Sequence, residues 1–218
     1  AGIILMFIGI FSYGSWVLTG VVEEKQSRVV EVVLSTVQPR DLLIGKVLGI
    51  GALALAQLVV LVAVGLVVSQ VLGQLVLPPT TVEAVVQLLV WFILGFAFYS
   101  TTMGFLGALA SRVEEASTAS MPVTLTATIA YVLSIVVVTG DPGGILARVM
   151  TFLPPSAPMV VPLRTALGAI EPWEIALSIA IMLASVWGLF VVGARVYSGA
   201  VLQVGGRMKL RDAWRASR

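Results

Sequence analysis

The sequence predicts an all-α fold, a polytopic bundle of transmembrane helices, on three observations. Of the 218 residues, 59% are apolar and only 11% are charged, whereas a soluble domain carries about 25% charged residues. The mean hydropathy is +1.07. The apolar residues form long runs that lack the polar face of a surface helix, and about 20 such residues span the hydrocarbon core of a bilayer.

Five runs are long enough to cross a membrane. The predicted spans are residues 2–22, 42–72, 85–111, 119–139 and 173–198. The second run is long enough to tilt or to continue past the bilayer. The polar connections are 23–40, 75–83, a tight turn at 112–117, a proline-rich segment at 141–172 and a basic tail at 203–218.

The distribution of basic residues orients these spans. When the five spans alternate in direction, eleven of the 13 Lys and Arg residues fall on one side, and only Arg148 and Arg164 fall on the other. The positive-inside rule makes the basic side cytoplasmic. The C-terminus is therefore expected in the cytoplasm and residue 1 outside, in a multi-pass protein of a cell membrane, with a prokaryotic source expected.

The first residues lie within an apolar run. The sequence starts with Ala1 and lacks the charged n-region of a secretory signal. An odd number of spans with an outside start requires at least one further span upstream. We therefore expect the sequence to be the C-terminal part of a longer protein.

Several kinds of chemistry are excluded by composition. The chain has no cysteine and no histidine, so thiolate chemistry, disulfides and histidine-based catalysis are ruled out. An intramembrane aspartyl pair is disfavoured because the aspartates lie in or beside loops, and no span core contains a carboxylate cluster for a metal. We predict no catalytic residue, no metal site and no nucleic-acid partner.

Gly45-Lys46 does not complete a phosphate-binding loop. That motif requires Gly five residues before the second Gly and Ser or Thr after the Lys, but position 40 is Arg and position 47 is Val. Any ATP must therefore bind to another chain. Gly45 and Gly49 instead have the spacing of a close helix contact.

The segment after the first span is dense in charge. Val29, Val33 and Leu34 belong to one apolar helical face that extends to Val37. The spacing of Glu24, Arg28 and Glu31 suits ion pairs within a helix. These features predict a short amphipathic helix at the membrane surface, ended by Pro39, after which Asp41 caps the next helix.

Two interpretations of this segment remain open. It suits an interfacial anchor whose charged side chains reach the headgroups, and it equally suits docking against a cytoplasmic partner.

Polar residues within the spans are candidates for a translocation path. Tyr99, Ser100, Thr101 and Thr102 stand out among them as a polar belt on one span. The other candidates are Ser12, Tyr13, Gln57, Ser69, Gln70, Thr124, Thr126, Thr128, Tyr131 and Ser134. The alternative is that their hydroxyls bond back to carbonyls of their own helix. No ionisable residue lies at the centre of a span, which disfavours an ion-driven carrier and favours an apolar or amphiphilic substrate.

Three strings resemble one known family. EEKQSRVVEVVLSTVQPRDLLIGKVLGIG (23–51), FLPPSAPMVVPLR (152–164) and ARVYSGAVLQVGGRMKL (194–210) are similar, in this order, to motifs of the ABC type-2 exporter permeases in the sodium-exporter (NatB-like) branch. The resemblance covers nearly the whole chain.

The resemblance implies an architecture of six spans, with a large extracytoplasmic domain between the first two. This chain would lack that first span and that domain. It also implies that segment 23–46 contacts a separate ATPase subunit that holds ATP and Mg²⁺. The coupling residues expected there are Glu23, Glu24, Lys25, Arg28, Glu31, Pro39, Gly45 and Lys46.

The outer segment 141–172 is expected from the resemblance to contain short re-entrant helices. Its expected site residues are Pro154, Pro155, Pro158 and Arg164. The predicted function is therefore the permease subunit of an ATP-driven exporter, paired with a second copy or a paralogue. The alternatives are a membrane scaffold without transport activity and a secondary carrier. The substrate is left open among sodium, drugs, peptides and lipids.

Overall fold

The computed structural model describes residues 2–26, 39–72, 81–110 and 112–201, without side chains at positions 25, 39, 40, 81 and 194–201. Within these residues the chain forms seven α-helices and no strand. Five of the helices are long and apolar enough to cross a membrane. The predicted all-α bundle with five candidate spans is confirmed.

The helices follow one another with short connections. They are α1 (Gly2–Gln26), α2 (Pro39–Val71), α3 (Thr81–Leu109), α4 (Val113–Gly140), α5 (Ile145–Phe152), α6 (Ala157–Ala166) and α7 (Pro172–Val201). The five spanning helices are α1 to α4 and α7. The two short helices α5 and α6 lie between α4 and α7.

Two sequence predictions about helix starts are wrong. The turn predicted at 112–117 is mostly helix, because α4 begins at Val113 and has Glu114 and Glu115 in its first turn, where acidic side chains favourably meet the helix dipole. Asp41 lies inside the first turn of α2 and does not precede the helix, because α2 begins at Pro39. Proline is tolerated in a first helical turn.

The packing shows that successive spans run in opposite directions. Leu18 and Val22, near the end of α1, form one cluster with Ala110 and Ala116, which flank the start of α4. We call this the charged end of the bundle, since Glu24 and Lys46 lie there. The opposite end carries α5, α6 and the connections at 141–171, and we call it the loop end.

The central helix of the bundle is α3. It packs against α1, α2, α4, α6 and α7, and its Trp91, Phe92 and Tyr99 side chains are fully buried. Gly107 lets α1 approach closely, because an added methyl group there would lie 2.8 Å from the backbone oxygen of Leu18. The backbone of α1 therefore lies in close contact with the central helix.

Candidate functional site

An ion pair joins α1 and α2 at the charged end. Lys46 Nζ lies 2.7 Å from Glu24 Oε1, and the two side chains are only 13% and 33% exposed. Lys46 passes over Gly20, where an added methyl group would lie 2.9 Å from Nζ. The pair therefore ties the last turn of α1 to the second turn of α2.

The structure describes only some of the other predicted coupling residues. Glu23 is exposed at the end of α1, and Pro39 opens α2. The side chain of Lys25 lies outside the described residues. Arg28, Glu31 and the predicted amphipathic helix at 29–37 lie outside them as well.

The predicted glycine contact on α2 is not present within the described part of the chain. An added methyl group at Gly45 or Gly49 would meet no atom within 4 Å. Both glycines face away from the other described helices, so their spacing does not bring described helices together.

At the loop end the chain re-enters the bundle between α5 and α6. The Tyr99 hydroxyl donates a hydrogen bond of 2.6 Å to the backbone oxygen of Pro155. Tyr99 lies 18 residues after the start of α3 at Thr81, about 27 Å along the helix at 1.5 Å per residue. Pro158 rests on Gly95, where an added methyl group would lie 2.9 Å from its Cβ. The segment contains two short helices, as expected, and its outer, re-entrant placement in a membrane stays a prediction.

Backbone groups at this re-entrant tip have partners within the protein. The Leu153 carbonyl accepts hydrogen bonds from the backbone N–H groups of Ser156 and Ala157. The Ser156 hydroxyl donates to the Met150 carbonyl at 2.7 Å. Since lipid tails offer no hydrogen bonds, irregular backbone at membrane depth is tolerated only with such internal partners.

Arg164 holds this segment together from within. Its Nε donates to the Pro142 carbonyl, its Nη1 to the Thr151 hydroxyl and its Nη2 to the Ala169 carbonyl, each at 2.8 Å. Nη2 also donates to Glu174 Oε2 at 3.0 Å. One buried guanidinium therefore joins the end of α4, α5, α6 and the start of α7.

Glu174 is the buried acidic partner of two arginines. Its Oε2 also accepts a hydrogen bond from the backbone N–H of Glu171 at 3.0 Å, as an acidic residue in a first helical turn does in a capping box. Its Oε1 lies 3.5 Å from Nε of Arg148, whose side chain is 54% exposed. The loop end therefore contains an ionic cluster in which Arg164 and Glu174 are buried and Arg148 is half-exposed.

The polar belt of α3 lies in the packed interior. Ser100 donates to the Phe96 carbonyl at 2.5 Å, and Thr102 donates to the Phe98 carbonyl at 2.8 Å, as the alternative interpretation of these hydroxyls expects. The hydroxyl of Thr101 is buried without a hydrogen-bond partner among the described residues. The role of the belt in a translocation path stays a prediction.

Aromatic rings connect Tyr131 with Tyr99. Tyr131 stacks on Phe7 with ring centres 4.5 Å apart, and Phe7 contacts Phe11 at 4.8 Å. Phe11 lies 5.3 Å from the ring of Tyr99. The structure therefore places Tyr99 and Tyr131, two of the predicted tyrosines, on one continuous aromatic row between α1, α3 and α4.

Sequence reasoning missed Glu174, and it named Tyr13 and Gln57 only as separate polar candidates, without the contact between them. Proline at position 172 followed by Glu174 is a helix-start pattern, and it could have drawn attention to this acid. The Tyr13 hydroxyl donates to Gln57 Oε1 across 44 residues, and no local pattern indicates that contact.

Known proteins resemble this chain over nearly its whole length. Residues 1–195 match the family model described as ABC-2 family transporter protein. The chain is 31% identical over 215 residues to the uncharacterized protein YhaP of Bacillus subtilis strain 168, covering 93% of this chain and 51% of that protein.

A second relative is archaeal. The uncharacterized protein MJ1024 of Methanocaldococcus jannaschii is 27% identical over 202 residues, covering 92% of this chain and 48% of that protein. The chain therefore spans about half the length of these curated relatives. No solved structure matches it.

Proposed function

Because this chain belongs to the ABC-2 transporter family, we propose that it is the permease subunit of an ATP-driven exporter of the NatB-like branch. A separate ATPase subunit binds ATP and Mg²⁺ and docks at the charged end, which faces the cytoplasm. A second copy or a related permease completes the transporter. The observation that carries the proposal is the ion pair between Glu24 and Lys46.

This pair mechanically couples the two helices that meet at the charged end. It joins the last turn of α1 to the start of α2 at 2.7 Å, and these two points flank the connection at 27–38. A displacement of that connection by the ATPase subunit therefore moves α1 and α2 together. Since α1 packs closely on the central α3, the movement reaches the core of the bundle.

The energetics suit a coupling contact better than a structural one. Glu24 is 33% exposed, and a partly exposed pair contributes only about 0.2–1 kcal/mol to stability. The free energy of unfolding therefore depends little on the pair, and its removal leaves a folded protein in which coupling can be measured.

Charge reversal tests the proposal. The variants Glu24→Lys and Lys46→Glu, and the double variant with exchanged charges, are reconstituted in vesicles with a candidate ABC ATPase subunit. Each single reversal is expected to lower transport-coupled ATP hydrolysis, and the double variant is expected to recover part of it. The matched control is Glu83→Lys, an exposed acid in the first turn of α3 at the opposite end.

Two results would contradict the proposal. Unchanged coupled hydrolysis in both single reversals would remove the role of the pair. Failure of the wild-type chain to associate with the ATPase, or ATP-independent uptake in the vesicles, would point to the scaffold or the secondary carrier.

A further inference from the structure

A cavity lies between α1 and α2, outside the ionic cluster and the charged end. Its volume is about 270 Å³, and apolar side chains of both helices, among them Ile8, Trp16 and Leu61, form its walls. Ligand cavities in proteins begin at about 300 Å³, so this groove has room for one part of a small molecule. None of the described residues that line it is charged.

Three polar residues, Ser12, Tyr13 and Gln57, also line the groove. The Tyr13 hydroxyl donates to the side-chain oxygen of Gln57. This bond uses the acceptor of the amide and leaves its two N–H donors directed elsewhere. Gln57 is exposed, and its amide N–H groups have no acceptor among the described residues.

Gln57 lies near the middle of its span. It follows Asp41 by 16 residues and precedes Val71 by 14, which places it about 24 Å and 21 Å from these ends at 1.5 Å per residue. Lipid tails accept no hydrogen bonds at this depth, and an unpaired amide there is unfavourable by several kcal/mol. The groove therefore favours an occupant that brings a hydrogen-bond acceptor to mid-membrane depth.

We propose that this groove binds an uncharged amphiphile, whose single acceptor oxygen pairs with the Gln57 amide while its tail lies along the apolar walls. The lack of charge at the groove disfavours an ionised head group, and the exposed Trp16 ring, 55% accessible, offers a flat apolar contact. The assignment of this class as the exported substrate rests on the proposed function.

Photolabelling tests the site without an ATPase subunit. The wild-type chain is placed in phosphatidylcholine nanodiscs with a long-chain ketone that carries a diazirine in its tail, or with the matching alkane that lacks the oxygen. Labelled residues are located by mass spectrometry. The ketone is expected to label the lining residues of α1 and α2 more strongly than the alkane does.

Two variants on α2 form a matched pair. Gln57→Met removes the amide and keeps the length of the side chain, and it is expected to lower ketone labelling about two- to ten-fold, the affinity equivalent of one neutral hydrogen bond. Gln70→Met changes another exposed glutamine of the same helix, outside the groove, and is expected to leave labelling unchanged. Ser12→Leu fills the groove and provides a second test if Gln57→Met proves unstable.

Distinct results overturn the site and the function. Equal labelling by ketone and alkane, or unchanged labelling in both Gln57→Met and Ser12→Leu, overturns the site. A second copy of the chain is the other possible occupant, and a Trp16→Cys variant tests for it, since the sequence has no other cysteine. If this variant forms disulfide-linked dimers and the ketone does not label the wild-type chain, another copy fills the groove. If the reconstituted transporter is driven by ATP but the ketone does not label the groove, the binding site is overturned and the proposed function stands. If the ketone labels the groove but is not moved by ATP hydrolysis, the binding site is supported and its role in export is removed.

Discussion

The guanidinium of Arg164 donates to the carboxylate of Glu174 at 3.0 Å, and both side chains are almost fully buried, at 1% and 0% exposure. The two residues stand ten positions apart, one on α6 and the other in the first turn of α7. Three further hydrogen bonds from the guanidinium reach Pro142, Thr151 and Ala169. The pair therefore fixes the re-entrant helices to the last span.

The first prediction concerns this pair. Arg164→Met is expected to lower the free energy of unfolding by about 3–5 kcal/mol, because it leaves the Glu174 carboxylate buried without its main partner. The matched control is Arg148→Met, which removes a half-exposed arginine at 3.5 Å from the same carboxylate and should lower it by about 1 kcal/mol or less. Thermal unfolding in detergent measures both, and equal effects of the two variants would contradict a special role for Arg164.

A lysine variant separates the contribution of the hydrogen-bond geometry of Arg164 to stability from that of its charge. Arg164→Lys keeps the positive charge beside Glu174, but a lysine ammonium has only three donors and no planar fork. We expect it to recover only part of the stability lost in Arg164→Met. Full recovery would show that the hydrogen bonds to the backbone contribute little.

The second prediction concerns the tip of the re-entrant segment. Tyr99→Phe removes the hydrogen bond to the Pro155 carbonyl and is expected to lower stability by about 1–3 kcal/mol, because this acceptor is left unpaired in the interior. Hydrogen exchange at the backbone amides of Leu153, Ser156 and Ala157 should rise in the same variant. The control is Tyr131→Phe, which keeps the ring that stacks on Phe7, and a similar change in both variants would contradict the prediction.

The third prediction uses two helical glycines. Gly95→Ala places a methyl group 2.9 Å from Pro158 Cβ and 3.0 Å from Ile10 Cδ1, and overpacking of this kind is expected to destabilise by about 1–3 kcal/mol. Gly188→Ala meets no atom within 4 Å, so the higher helix propensity of alanine should stabilise by up to about 1 kcal/mol. Thermal unfolding should therefore shift in opposite directions, and shifts of the same sign would refute the close packing at Gly95.

The spans could be predicted from the sequence because hydropathy and helix length are linked by the thickness of the bilayer. Helix ends were less predictable, since a helix continues into polar residues when its first turn favours them. Glu114 and Glu115 illustrate this, because their charge indicates a loop while their position in the first turn of α4 stabilises the helix.

The contacts of the site could not be predicted in the same way. Arg148 and Arg164 stood out in the sequence as the basic residues of the less basic side, but their shared partner Glu174 depends on how α5 and α6 fold back. The contact between Tyr13 and Gln57 joins two helices across 44 residues. Such contacts follow from packing between helices, and no periodic pattern within one helix carries that information.

The last prediction concerns the orientation of the bundle. The sequence has no cysteine, so a single introduced cysteine reports its own side of the membrane. Ile145 is 84% exposed at the loop end, and Glu114 is exposed in the first turn of α4 at the opposite end.

Intact cells distinguish these two positions. Ile145→Cys is expected to react with a membrane-impermeant maleimide, whereas Glu114→Cys should react only after permeabilisation, because the end with eleven of the 13 basic residues is expected to face the cytoplasm. The unsubstituted chain is the control for background. The reverse pattern would place the ion pair of Glu24 and Lys46 outside the cell, where no ATP-hydrolysing subunit could reach it, and would remove the coupling proposal together with the orientation.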